Sequence, residues 1–132
     1  MRKIDLPARE LPPNAVAVDY APYSKLFLKA AVIVHQGGIG TSGQTLQAGK
    51  PTLVVPFAHD QTDNAQRLGR LGTSKTLPFR RCSTGAMTRT LEELLKNSEF
   101  AQRAEMIGRQ VRSENGVVNA CNEIETLLAA VN

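Results

Sequence analysis

Residues 31–56 read AVIVHQGGIGTSGQTLQAGKPTLVVP, and a change of periodicity inside this stretch decides the architecture. Ala31 to Val34 is an apolar run of strand length, and Thr52 to Val55 is a second, closed by Pro56. Between them Thr41 to Ala48 places small and apolar residues at helical spacing. Gly49-Lys50-Pro51 ends that helix, because glycine accepts the left-handed geometry of a helix terminus and proline cannot continue a helix. Two apolar strands separated by a helix are joined by a crossover, so they run parallel.

The same alternation extends in both directions. Upstream, Ala15 to Val18 reads as a further buried strand and Ser24 to Lys29 as a helix. Downstream, Asp60 to Leu71 reads as a helix opened by an acidic residue and closed by Gly72, and Lys75 to Leu77 as a fourth strand. The last third is helical throughout. Thr84 is a cap for a helix to Lys96, and Ser98 caps one to about Arg112. Gly116 precedes an amphipathic stretch carrying Val117, Cys121, Ile124, Leu127 and Leu128. Residues 1–14 hold three prolines and no periodicity and read as a linker, which leaves 15–132 as the domain. The expected fold is therefore α/β, a Rossmann-like parallel sheet with helices on both faces. Such sheets bind ligands at the carboxyl ends of their strands, here just after Val18, Val34 and Val55.

Composition narrows the ligand class. A chain of 132 residues with 42% hydrophobic content supports one core. The net charge of +4 favours anionic ligands, but the charges are spread rather than blocked. With 5% aromatics and no Trp there is little material for base stacking along a strand, so no nucleic-acid partner is expected. Cys82 and Cys121 have no Cys or His partner at metal-ligand spacing and read as reduced thiols, which suits a cytoplasmic protein. No signal-peptide-like run opens the chain, and no segment approaches the roughly 20 apolar residues of a membrane span.

The stretch after Val34, His35-Gln36-Gly37-Gly38-Ile39-Gly40-Thr41-Ser42-Gly43, carries the chemistry. Glycines let the backbone approach a ligand closely, and the amides that open the following helix lack intrahelical partners, so this turn can hold a phosphate without a metal. Thr41 and Ser42 add hydroxyl donors. A tight strand-to-helix turn with nothing bound is the plain alternative. The turn is not a P-loop, since no Gly-Lys-Ser/Thr follows. Nor is it the dinucleotide fingerprint, since Gly38, Gly40 and Gly43 have the wrong spacing and no acidic residue stands at a strand end about 20 positions later.

The longer pattern HQGGIGTSGQTLQAGKPTLVVPFAHDQ, His35 to Gln61, resembles the donor-binding signature of the UDP-glycosyltransferase family, which includes bacterial antibiotic and macrolide and fungal sterol glycosyltransferases. The resemblance runs from about Pro12 to Gly72, with the glycine cluster, Gly49-x-Pro51, Pro56 and Asp60-Gln61 at the family's spacing. It implies the C-terminal donor-binding domain of a two-domain GT-B enzyme that inverts the sugar's anomeric centre without a cofactor or metal. Gln36, Gly37, Gly38, Gly40, Thr41 and Ser42 would then surround the donor diphosphate. Tyr20, Pro22, Tyr23 and Gln44 would face the nucleobase and ribose. Asp60 and Gln61 would bind the sugar hydroxyls, a carboxylate accepting and an amide donating side by side. For Tyr20 and Tyr23 the alternative is a loop anchor packed on the sheet, and for Asp60 a helix cap. His35 reads as a satisfied strand-end histidine and His59 as a neighbour of the sugar site.

Two positions depart from the family pattern. Gln36 stands where many relatives have a second His, and Gln44 where a Glu commonly binds ribose, which loosens the assignment of the nucleotide. The acceptor-binding N-terminal half and its catalytic base have no counterpart in the sequence, so no catalytic residue is expected on this chain and transfer by it alone is not expected. The expected partners are a UDP- or TDP-hexose, the acceptor half or a separate subunit, and a second copy of the chain covering sheet surface. The rival readings are a non-catalytic nucleotide-sugar-binding subunit of a split two-chain glycosyltransferase, a structural α/β module with an empty site, and an epimerase of the same two-domain class.

Overall fold

The computed structural model describes residues 11–131. Three parallel strands form a sheet in the order β1-β2-β3, with β1 at Ile33–His35, β2 at Thr52–Val54 and β3 at Ser74–Thr76. Helix α1 (Tyr23–Lys29) precedes β1, α2 (Ile39–Ala48) joins β1 to β2, and α3 (Gln61–Arg70) joins β2 to β3. A short 3-10 turn at Phe79–Arg81 leads into α4 (Thr84–Lys96), α5 (Ser98–Ser113) and α6 (Gly116–Val131).

Register places the helices on two faces. Ile33 pairs with Thr52 and His35 with Val54, while Val34, Leu53 and Lys75 lie in the alternate row. On the first face Ile33 packs with Phe27 of α1 and Ala48 of α2, and Val54 packs with Ala65 and Leu68 of α3 and with Leu46 of α2. On the second face Lys75 pairs with Glu93 of α4 at 2.6 Å and lies 5.6 Å from the ring of Phe100 at the start of α5. Leu53, in the central strand, is covered on that side and fully buried. From there α5 passes beneath the amino ends of the strands: Arg103 lies against Gly72 before β3, and Gly108 against Gly49 before β2. Arg112 then donates from Nη1 to the Gln47 carbonyl at 2.7 Å, satisfying a free acceptor in the last turn of α2. The carboxyl ends of the strands are left to the turns that follow them.

Most elements fall within two residues of their expected bounds, as is usual for helix and strand ends. Two caps shift by one residue: Ser83 Oγ accepts from Ala86 N–H to cap α4, and Asn97 Oδ1 accepts from Glu99 N–H to cap α5. One expectation fails. Ala15 to Val18 is not a strand; it has no regular structure and pairs with no strand, with Val16 85% and Val18 63% exposed. A four-residue apolar run satisfies a strand pattern, but only a paired neighbour makes it one, and the free edge of β1 has no partner among the described residues. The expected linker falls mostly on residues 1–10, outside the described residues.

Candidate functional site

His35 closes β1, 8% exposed, and its Nδ1 accepts the Gly37 N–H at 3.1 Å. Burial pushes the imidazole pKa below its ordinary value, so the ring is neutral. With Nδ1 accepting, the proton sits on Nε2, which is buried and has no partner among the described residues. The bond folds the chain back at Gly37, where φ is +93°. A Cβ there would lie 2.9 Å from Val54 Cγ1 and 3.0 Å from the Gln61 carbonyl oxygen, so only glycine fits.

Gly38 is the N-cap of α2 and offers no side-chain acceptor, and the first turn of α2 holds no acidic residue. The first helical bond runs from Ser42 N–H to Gly38 O at 2.9 Å. The amides ahead of it have no side-chain cap, and no acidic residue in the helix's own first turn offsets its positive end. A Cβ at Gly40 would meet nothing within 4 Å, so the protein does not demand glycine there. Thr41 is half-buried and Gln36 exposed. Ser42 is placed differently from the expectation. It shares the inward face of α2 with Thr45 and Ala48, is 3% exposed, and its hydroxyl has no partner among the described residues.

Beside this turn lies the loop after β2. Gln61 Oε1 accepts the Phe57 and Ala58 amides at 2.8 and 3.2 Å, which spends its oxygen and leaves the amide nitrogen as a donor. Asp60 occupies the N-cap position of α3 yet makes no capping bond. Its Oδ2 instead accepts from Asn64 Nδ2 at 2.8 Å, and the same nitrogen donates to Gly37 O at 2.9 Å. Asp60 and Gln61 are thereby brought against the glycine turn, and His59 between them and β2 has a left-handed φ of 59°.

On the other side of α2, an open hollow of about 990 Å³ is lined by Tyr20, Pro22, Tyr23, Gln44, Gln47 and Arg112 among others. Tyr20 is 80% exposed. Tyr23 stacks within α1 on the buried Phe27, with ring centroids 4.6 Å apart. The expected base-and-ribose residues therefore share one hollow at the flank of α2.

Two features were not foreseen. Asn64 has an indirect signal, a polar residue on the apolar stripe of Ala65 and Leu68. The exposed stack of Phe57 on Phe79, centroids 4.2 Å apart, joins residues that only the fold makes neighbours and has none. Among the described residues no group of three or more His, Cys, Asp or Glu is placed to hold a metal, and no helix is long and apolar enough to cross a membrane.

The parallel α/β sheet, with an uncapped glycine-opened helix at its carboxyl edge, has the fold of a GT-B glycosyltransferase domain. Residues 3–128 match the family described as erythromycin biosynthesis protein CIII-like, C-terminal domain, and the chain belongs to that family. It is 37% identical over 120 residues to the O-mycaminosyltylonolide 6-deoxyallosyltransferase of Streptomyces fradiae, covering 90% of this chain and 28% of that protein. It is 36% identical over 118 residues to the sterol 3-beta-glucosyltransferase of Yarrowia lipolytica, covering 89% of this chain and 8% of that one. Among solved structures, the glycosyltransferase VinC in complex with dTDP superposes with a TM-score of 0.82 at 27% identity, covering 89% of this chain and 30% of that one. The chain thus spans less than a third of each of these relatives.

Proposed function

We propose that this chain is the donor-binding part of an inverting glycosyltransferase that moves a hexose from a UDP- or TDP-sugar to a hydroxyl acceptor. The observation that carries the proposal is the uncapped N-terminus of α2, opened by Gly37 and Gly38, in contact with the Asp60-Gln61 pair. The amides of Gly38, Ile39, Gly40 and Thr41 take the diphosphate. They stabilise the charge that develops on it as the glycosidic bond to the leaving oxygen breaks, much as an oxyanion hole does. Asp60 accepts from one sugar hydroxyl while the Gln61 amide nitrogen donates to its neighbour, since the Gln61 oxygen is already engaged. Tyr20 covers the base and Gln44 the ribose at the hollow on the flank of α2. Buried Ser42 is left out of the diphosphate contacts.

No metal is required in this scheme, because the helix terminus supplies the positive potential. The acceptor hydroxyl and its base belong to an acceptor-binding half, carried on the same longer polypeptide or on a partner chain, and the domain alone does not turn over. Calorimetric titration with UDP, UDP-glucose and NAD tests the reading. UDP and UDP-glucose should bind and NAD should not; Gly38→Asp should abolish both, and Asp60→Ala should weaken only the sugar nucleotide. A folded sample that binds no nucleotide sugar contradicts it.

A further inference from the structure

We infer that Asn64 is a positioning residue that couples the diphosphate turn to the sugar-binding carboxylate. The inference rests on the donor-site reading above. Asn64 is 7% exposed and sits in the first turn of α3, where its backbone N–H already bonds Asp60 O at 3.0 Å. Its side-chain nitrogen carries two protons, and both are committed: one to Gly37 O at 2.9 Å, the other to Asp60 Oδ2 at 2.8 Å. A single amide therefore spans 27 residues of sequence and ties the Gly37 carbonyl to the Asp60 carboxylate.

The consequences differ for the two ends. Gly37 is held by its N–H to His35 Nδ1 and by its carbonyl to Asn64, so the peptide planes on both sides of the φ +93° residue are fixed, and with them the direction of the amides that follow. Asp60 has helical backbone angles, φ −70° and ψ −11°, rather than the extended geometry of a capping residue, and its carboxylate bonds Asn64 instead of a backbone amide. Through Asn64 the carboxylate is linked to the glycine turn. Oδ1 is left without a protein partner among the described residues, as a group that accepts from a ligand hydroxyl must be.

Asn64 touches neither diphosphate nor sugar in this scheme and acts through Gly37 and Asp60. The test is the ratio of affinities for UDP-glucose and UDP, measured by calorimetry on the full chain for wild type, Asn64→Ala, Asp60→Ala and the double variant. Thermal melting of each sample establishes that it is folded. Asn64→Ala should reduce the ratio about tenfold, the effect of one hydrogen bond to a charged group. The double variant should have the same ratio as Asp60→Ala, because the two residues act on the sugar as a unit. Asn64→Ser, which retains a short hydroxyl donor and keeps the site polar, serves if the alanine variant does not fold, and should lower the ratio in the same direction. A lowered melting temperature with an unchanged ratio, or additive losses in the double variant, overturns the inference while leaving the donor site intact. Wild-type protein that binds neither ligand overturns the donor reading and this inference with it.

Discussion

Gly108 of α5 crosses Gly49 at the end of α2 so closely that a methyl group on Gly108 would lie 2.7 Å from the Gly49 Cα and 3.0 Å from the Leu46 carbonyl oxygen. The contact is backbone against backbone, so neither side can yield by rotating a side chain. Gly108→Ala should therefore cost about 1–3 kcal/mol despite alanine's higher helix propensity, the usual range for overpacking. Denaturant unfolding measures it, and Gly85→Ala, where nothing lies within 4 Å of the added carbon, should show no such loss.

Gly37 and Gly40 sit three residues apart in one motif, but the fold requires glycine only at the first. Gly37→Ala meets Val54 and the Gln61 carbonyl at a left-handed φ and should destabilise the fold by about 1–3 kcal/mol. Gly40→Ala meets no protein atom and replaces a helical glycine, so the fold should be unchanged or more stable by about 0.5–1 kcal/mol. UDP affinity should nonetheless fall at least about tenfold, because the added carbon occupies the space before the α2 amides. Melting temperature and calorimetry on the same samples separate the two effects.

The pH dependence of stability has a sign set by His35. Its pKa is lowered in the fold by burial, so the unfolded chain takes up a proton as the pH falls below about 6.5 while the native imidazole resists it. The native state is thus unpenalised above that value and loses stability as the pH drops from about 6.5 through the lowered pKa. Protonation would also set an N–H against the Gly37 N–H. Glu105, half-buried and held below the usual carboxylate range by its hydrogen bond to Arg109 and by the Arg112 charge, affects only a lower window, beneath its ordinary 4.5. His35→Asn keeps an acceptor near Gly37 without a titrating group. Unfolding free energies between about pH 7.5 and pH 5 should fall for the wild type and run flatter for this variant.

How far the sequence revealed this follows from which signals are local. The β-α-β core from Ile33 to Val54 was legible because apolar runs, helical spacing and the Gly49-Lys50-Pro51 stop all lie within a few residues. Ala15 to Val18 misled because pairing is not local: the run matches a strand pattern but no described strand lies beside it. Glycine spacing marked the turn that opens α2, and periodicity alone could have placed Ser42 on the buried face of that helix, three residues before Thr45 and six before Ala48. The second partner of Asn64, Gly37 O, lies 27 residues away, and no window of sequence contains the link.

The central claim is that the opening amides of α2 bind a nucleotide diphosphate, and amide chemical shifts of isotope-labelled protein titrated with UDP test it most directly. Saturable shifts concentrated at Gly37, Gly38, Ile39, Gly40 and Thr41, with smaller ones at Tyr20 and Gln44, are the predicted result. Shifts confined to other surfaces, such as the hollow beside Gly72 and Phe100 beneath the amino ends of the strands, or no shifts in a folded sample, would contradict it.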